Sequence, residues 1–108
     1  MRDRTLVLED VFDIAGTGDK LRVRLYAPVP EGRNWACHVE LGEPLEWAGD
    51  ARGVSPVQAL SLGLTLLSTQ LYSSALYRSG RLGAFGEFGG FLGLPAPASY
   101  HDFAPYEF

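Results

Sequence analysis

From Val54 to Tyr77 the chain runs 24 residues without a charged side chain. A stretch this apolar must be covered by something, so it governs how the rest of the chain is arranged. Its start has the form of a helix entry. Ser55 is placed as the N-cap, Pro56 takes the first helical position where its missing N–H is no loss, and Gln58 completes a capping box. At the other end Arg78 suits the negative end of the helix dipole and Gly80 suits a left-handed cap. Between these signals Val57, Leu60, Leu64, Leu67, Leu71 and Ala75 recur at helical spacing and form one stripe. The spacing predicts a single helix of roughly 23 residues, about 35 Å long. A membrane span is the competing reading, and Pro56, Gln58, Gln70 and seven Ser and Thr residues argue against it.

The opposite stripe of the same stretch, Gln58, Ser61, Thr65, Ser68, Thr69 and Ser73, is polar but uncharged. Solvated helix faces usually carry Lys and Glu, which favour helix more than Ser and Thr do. The stripe is therefore either a mildly polar exposed face or a surface small enough for another element to approach. That element is the chain's own tail, a partner or a second copy.

Charge divides the chain. Residues 1–53 hold 17 of its 22 charged side chains, and residues 54–108 hold only Arg78, Arg81, Glu87, Asp102 and Glu107. The first half alternates with period two, as strands covered on one face do. Leu21, Val23, Leu25 and Ala27 oppose Lys20, Arg22, Arg24 and Tyr26. Trp35, Cys37, Val39 and Leu41 oppose Asn34, Ala36, His38 and Glu40. Thr5–Phe12 is also strand-like, with Leu6, Leu8 and Phe12 competing with Val7 and Val11 for the inward face. Leu45-Glu46-Trp47 is a candidate short fourth strand. Gly16-Thr17-Gly18-Asp19 and Pro30-Glu31-Gly32-Arg33-Asn34 are turn sequences, and connections this short favour antiparallel neighbours. The fold predicted is α+β: a three- to four-stranded antiparallel meander packed on one long helix, followed by an irregular glycine- and aromatic-rich tail.

After Gly80, glycines alternate with Phe85, Phe88 and Phe91, and the chain ends through Pro95 and Pro97 with Tyr100, Phe103, Tyr106 and Phe108. The expectation is one domain over residues 1–95, with the three phenylalanines packed on it, and an extended tail over 96–108.

Few groups suit catalysis. Gly86-x-x-Gly89-Gly90 lacks the Lys-Ser/Thr and the strand–helix context of a phosphate loop. Cys37 shares its face with Trp35, Val39 and Leu41, whereas His38 points to the other face, so Cys37 reads as a buried thiol that His38 cannot activate. His38 and His101 are the only histidines, one cysteine makes no disulfide framework, and no spacing supplies three or four metal ligands. A formal charge of −4 disfavours binding to a phosphate backbone. No secretory signal is visible at the start, so the expected setting is cytoplasmic. What remains is surface, above all the polar sheet face carrying Arg22, Arg24, Tyr26, His38 and Glu40, because Arg and Tyr are common at the centres of interfaces.

Trp35-x-Cys37-x-Val39-x-Leu41, followed by Gly53-Val54-Ser55-Pro56-Val57-Gln58-Ala59-Leu60, resembles a family of small bacterial proteins of unknown function. Those proteins carry a strand with W-x-C and then G-x-[DS]-x-x-Q-A-L opening a long helix. Gly90-Phe91-Leu92-Gly93-Leu94-Pro95 resembles their ending. The likeness covers residues 20–95 in outline. Ser55 stands where an aspartate often appears, and either residue caps a helix. The resemblance implies an α+β domain and supplies no activity and no site residues.

The function expected is non-catalytic protein binding, in concrete form a bacterial immunity- or antitoxin-like protein that blocks a partner, with no cofactor, metal, nucleic acid or membrane involved. The alternatives are a self-associating homodimer and, further off, a small-molecule-binding domain or enzyme.

Overall fold

The computed structural model describes residues 4–84, 87–88 and 92. Among these, seven strands form one antiparallel sheet. They are β1 (Leu6–Ile14), β2 (Lys20–Tyr26), β3 (Val29–Glu31), β4 (Asn34–Leu41), β5 (Trp47–Gly53), β6 (Leu82–Ala84) and β7 (Glu87–Phe88). Helices α1 (Pro56–Tyr72) and α2 (Ala75–Arg78) lie between β5 and β6 in sequence. The α+β class and the antiparallel sheet with one main helix are as the sequence predicts. The sheet is larger than three or four strands.

Its order is β3-β4-β2-β1-β6-β7, with β5 along the other edge of β4. Strand β4 is the hub. One edge is shared, pairing Ala36 with Val29 of β3 and Val39 to Leu41 with Leu25 to Val23 of β2. The other edge pairs with β5 from Trp35↔Gly53 to Leu41↔Trp47. Gly32, at φ 61°, opens the two-residue loop between β3 and β4, a position where side chains other than glycine are strained.

The inward face is the one the alternation predicts. Leu21, Val23 and Leu25 of β2 and Cys37, Val39 and Leu41 of β4 are all buried, and β1 contributes Phe12 and Ile14. Helix α1 covers the β4–β5 side of this face, reached through glycine. A Cβ at Gly63 would lie 2.6 Å from Cys37 Sγ, and one at Gly53 would lie 2.6 Å from the Ala59 nitrogen. The helix start also follows the sequence. The Gln58 N–H donates to Ser55 Oγ at 3.1 Å, and Gln58 Oε1 accepts from the Val54 N–H at 2.6 Å.

Three expectations change. The helix is two pieces, not one rod. Ser73 Oγ donates to the Thr69 carbonyl at 2.6 Å. Ser74 Oγ donates to the Leu71 carbonyl at 2.7 Å and accepts from the Tyr77 N–H at 3.2 Å, so Ser74 caps α2. Serine hydroxyls compete with the helical ladder in this way, and two in succession end it. Gly80, at φ 77°, does close the second piece.

The buried face is also rotated from the leucine stripe. Val57 is 79% exposed and Ala75 is exposed, whereas Ala59, Gly63, Leu67, Ser68, Leu71 and Tyr72 are buried. Ser68, placed on the polar stripe by its spacing, belongs to the interior. Finally, the short strand expected at Leu45-Glu46-Trp47 is the seven-residue β5, which begins at Trp47.

Leu92 is buried and donates its N–H to the Tyr72 hydroxyl at 2.9 Å. Phe85 and Phe91, the Gly86-x-x-Gly89-Gly90 glycines, His101 with Asp102, and the division between residues 95 and 96 fall outside the described residues.

Candidate functional site

The sheet face opposite α1 holds the residues expected to bind. Period-two alternation puts Arg22, Arg24 and Tyr26 of β2 on that side with His38 and Glu40 of β4, and the register sets Arg24 directly opposite Glu40. Strand β5 adds Asp50, opposite His38, and Arg52, opposite Ala36. Strand β1 adds Glu9, opposite Arg24.

These groups form a chain of contacts across the strands. The Tyr26 hydroxyl donates to Glu40 Oε1 at 2.9 Å. His38 Nε2 lies 3.0 Å from Glu40 Oε2, and its Nδ1 lies 2.5 Å from Asp50 Oδ1. The His38 and Tyr26 rings lean together, with centroids 5.5 Å apart and planes tilted by 50°. Arg52 continues the chain from Asp50, at 3.8 Å, to Glu31, at 2.6 Å. At the other end Arg24 pairs with Glu9 at 2.5 Å, and Lys20 pairs with Asp13. The Arg22 side chain is exposed and makes no ion pair or hydrogen bond with the described residues, although its charge reaches Glu9.

The network's centre differs from its rim. The His38 side chain is 14% exposed, whereas those of Arg24 and Arg52 are 40% and 55% exposed. Exposed pairs of the rim type contribute little, because water and salt screen them. Burial pushes the Glu40 carboxyl up, but hydrogen bonds from Tyr26 and His38 and the Arg24 charge outweigh it and hold Glu40 below the usual carboxylate range. Burial chiefly, helped by the Glu40 carboxylate, raises the Tyr26 hydroxyl. The hydrogen bond from Arg24 lowers Glu9 and in return raises Arg24.

Both ring nitrogens of His38 are engaged by carboxylates. Glu40 and Asp50 sit on opposite sides of the imidazole rather than converging on a point. No group of three or more metal-ligating side chains gathers among the described residues. Cys37 is fully buried and donates through Sγ to the Tyr26 carbonyl at 3.2 Å. Burial first, and the Asp50 charge second, push its thiol up and away from thiolate. An open hollow of about 480 Å³ sits over His38 and Asp50, bounded by Arg4, Glu31 and Ala36.

All five residues expected at the site lie on this one face. The Arg22 side chain stands outside the contact chain, and Arg24 joins it through Glu9 of β1, through Tyr26 and through its charge on Glu40. Sequence reasoning missed Asp50, Arg52 and Glu9. The signal for the first two was present, because Ala48, Asp50 and Arg52 alternate with Gly49, Ala51 and Gly53, but small residues carry little strand preference.

Residues 8–96 match the family described as Domain of unknown function (DUF6968). The chain belongs to that family. The matched span takes in both helices and every strand named above except Leu6 and Val7 at the start of β1, together with the whole His38 network. The family description carries no activity. No curated protein and no solved structure matches the chain. Among the described residues, no helix is long and apolar enough to cross a membrane.

Proposed function

We propose that this DUF6968 domain is a non-catalytic protein-binding module whose partner docks on the sheet face of Arg22, Arg24, Tyr26, His38 and Glu40, with Asp50 and Arg52 extending it. The observation that carries this reading is the Tyr26–Glu40–His38–Asp50 chain on a face that α1 does not cover. Its side chains are already held in place and partly desolvated, so a partner that meets them forgoes much of the usual ordering cost. Arg22 beside it offers a guanidinium with no competing carboxylate in contact, suited to an acidic group of the partner. In its concrete form the module is a cytoplasmic bacterial protein of the immunity or antitoxin kind, which works by occupying another protein's surface. Small size, a net charge of −4 and a histidine with both nitrogens engaged support that form over an enzyme.

The test is capture of a partner from the native cell by the tagged protein, followed by titration with the purified partner. Arg22→Ala and Tyr26→Phe are expected to weaken that complex while leaving the thermal unfolding of the free domain close to wild type for Arg22→Ala. A purified partner whose affinity ignores both changes removes the proposed face. Repeated capture of nothing removes the binding reading itself.

A further inference from the structure

Among the described residues, strand β1 leaves most of one backbone edge open, and a different set of observations bears on it. On its other edge β2 pairs from Leu6↔Tyr26 to Asp13↔Lys20, with a bulge between Leu6 and Leu8. On the open side, among the described residues, β6 reaches only Asp13 and Ile14. The hydrogen bonds show which groups face outward. The Ile14 N–H donates to the Asp19 carbonyl on the β2 side, and the Ala15 N–H donates to the Arg81 carbonyl on the β6 side. Alternation then turns the backbone groups of Glu9 and Val11 to the open edge. In agreement, the Val11 N–H is met only by its neighbour's carboxylate, Asp10 Oδ1, at 2.8 Å. The side chains along this edge are unusually apolar for an exposed strand. Leu6 is 46% exposed, Val7 49%, Leu8 36% and Val11 43%.

A long apolar edge of this kind is a template for another strand. Its charge selects which one. Glu9, Asp10 and Asp13 are all acidic; Arg24 pairs with Glu9 and Lys20 with Asp13, while Asp10 has no ion pair among the described residues. In an antiparallel pairing of two copies, alignment on Glu9 or Asp10 sets that carboxylate opposite its twin, and alignment on Val11 sets Glu9 opposite Asp13. Like charges directly opposite destabilise a strand pair. Asp10 also lies on the side of the sheet that carries the core, opposite Val23, and an inward-pointing charge is one of the ways edges are closed to copies of themselves.

We infer that the Leu8–Phe12 edge of β1 accepts, by strand addition, an extended segment of another protein in which apolar residues alternate with Lys or Arg. The partner's carbonyl takes the Val11 N–H from Asp10, and the released Asp10 carboxylate meets the partner's basic side chains on the core side of the sheet. The apolar residues of the segment, on the opposite side, cover Val11, while the apolar stems of the basic side chains cover Leu8. This edge adjoins the Arg22 and Arg24 end of the His38 face, but the two readings are told apart by backbone protection at Glu9 and Val11, which docking on the His38 face does not require.

The probe is a capped nine-residue peptide of alternating valine and lysine, compared with its valine–glutamate counterpart. Both are titrated into the whole chain and followed residue by residue by amide hydrogen exchange. The lysine peptide is expected to bind and to slow exchange at Glu9 and Val11, and the glutamate peptide is expected to do neither. Asp10→Lys is expected to abolish binding of the lysine peptide. Val11→Pro removes an N–H that β2 does not use, and it is expected to keep the fold and lose the protection. If Val11→Pro does not fold, Asp10→Lys alone decides. Binding without protection at Glu9 and Val11, equal binding of both peptides, or protection of the same amides by self-association of the peptide-free protein each overturns the inference.

Discussion

Glu40 shows how one residue ties the sheet face to the solvent. Its native carboxyl sits below the ordinary value of 4.5 because Tyr26, His38 and Arg24 together outweigh its burial. A depressed native value means that folding favours the ionised form. The stability this adds is fully present above about pH 4.5 and is lost as pH falls through the lower native value. Glu40→Gln removes that dependence. At about pH 6 the variant is expected to be less stable than wild type by on the order of 1 kcal/mol, a figure kept small because the side chain is 33% exposed. At about pH 3 the gap should be narrower. Urea midpoints of both proteins at the two pH values check this, and a gap that stays constant with pH would remove Glu40 from the network's energetics.

At the scale of elements, the helix–sheet contact explains both what the sequence revealed and what it hid. The alternation in β2 and β4 was legible because Leu, Val and Cys alternate strictly with Arg, Tyr, His and Glu, and this placed all five candidate site residues on one face. The helix ends were legible because capping is local chemistry between residues three or four apart. The buried side of α1 was not. Periodicity favours large apolar residues, but the first half of α1 meets the sheet through Ala59 and Gly63, where close approach selects small ones. Val57 and Ala75 are left outside as a result, and nothing in the spacing announces it. The break at Ser73–Ser74 was hidden for a related reason, since serines on a helix face and serines that end a helix look alike until the hydrogen bonds are known. Gly63→Ala tests the contact. In an open helix this change is worth about 1 kcal/mol of added stability. Here its Cβ would meet Cys37 Sγ at 2.6 Å, Cys37 Cβ at 3.2 Å and Leu25 Cδ1 at 3.3 Å. Overpacking of that kind costs about 1–3 kcal/mol, so a net loss is expected. Cys37→Ala removes the nearest atom, and in that background Gly63→Ala should cost less than it does alone. Strict additivity in denaturant unfolding of the four proteins would mean that the helix rides higher on the sheet than described.

Over the whole molecule, the placement of α1 creates two kinds of unfinished surface. The helix lies over β4 and β5, so among the described residues the far side of the sheet is a single layer and β1 sits at the margin of the core. Its inward side chains follow this gradient, from Leu8 at 36% exposed to Phe12 at 4% and Ile14 at 6%. The two strands nearest the centre, β2 and β4, are paired on both edges and carry the most buried side chains: Leu21, Val23, Leu25, Cys37 and Val39, each 0–1% exposed. Local opening draws on regions with few buried contacts and exposed backbone bonds, whereas central strands open only with the whole domain. Amide exchange in the free protein should therefore be slowest at ladder-bonded positions in β2 and β4. It should be fastest, within the sheet, at the outward N–H groups of Glu9 and Val11, the latter held only by the exposed Asp10 carboxylate. If Glu9 and Val11 exchange as slowly as Val23 and Val39 at low protein concentration, that edge is already occupied by the chain itself. Fast exchange there beside a slow centre marks β1 as an edge where this sheet can still gain a strand.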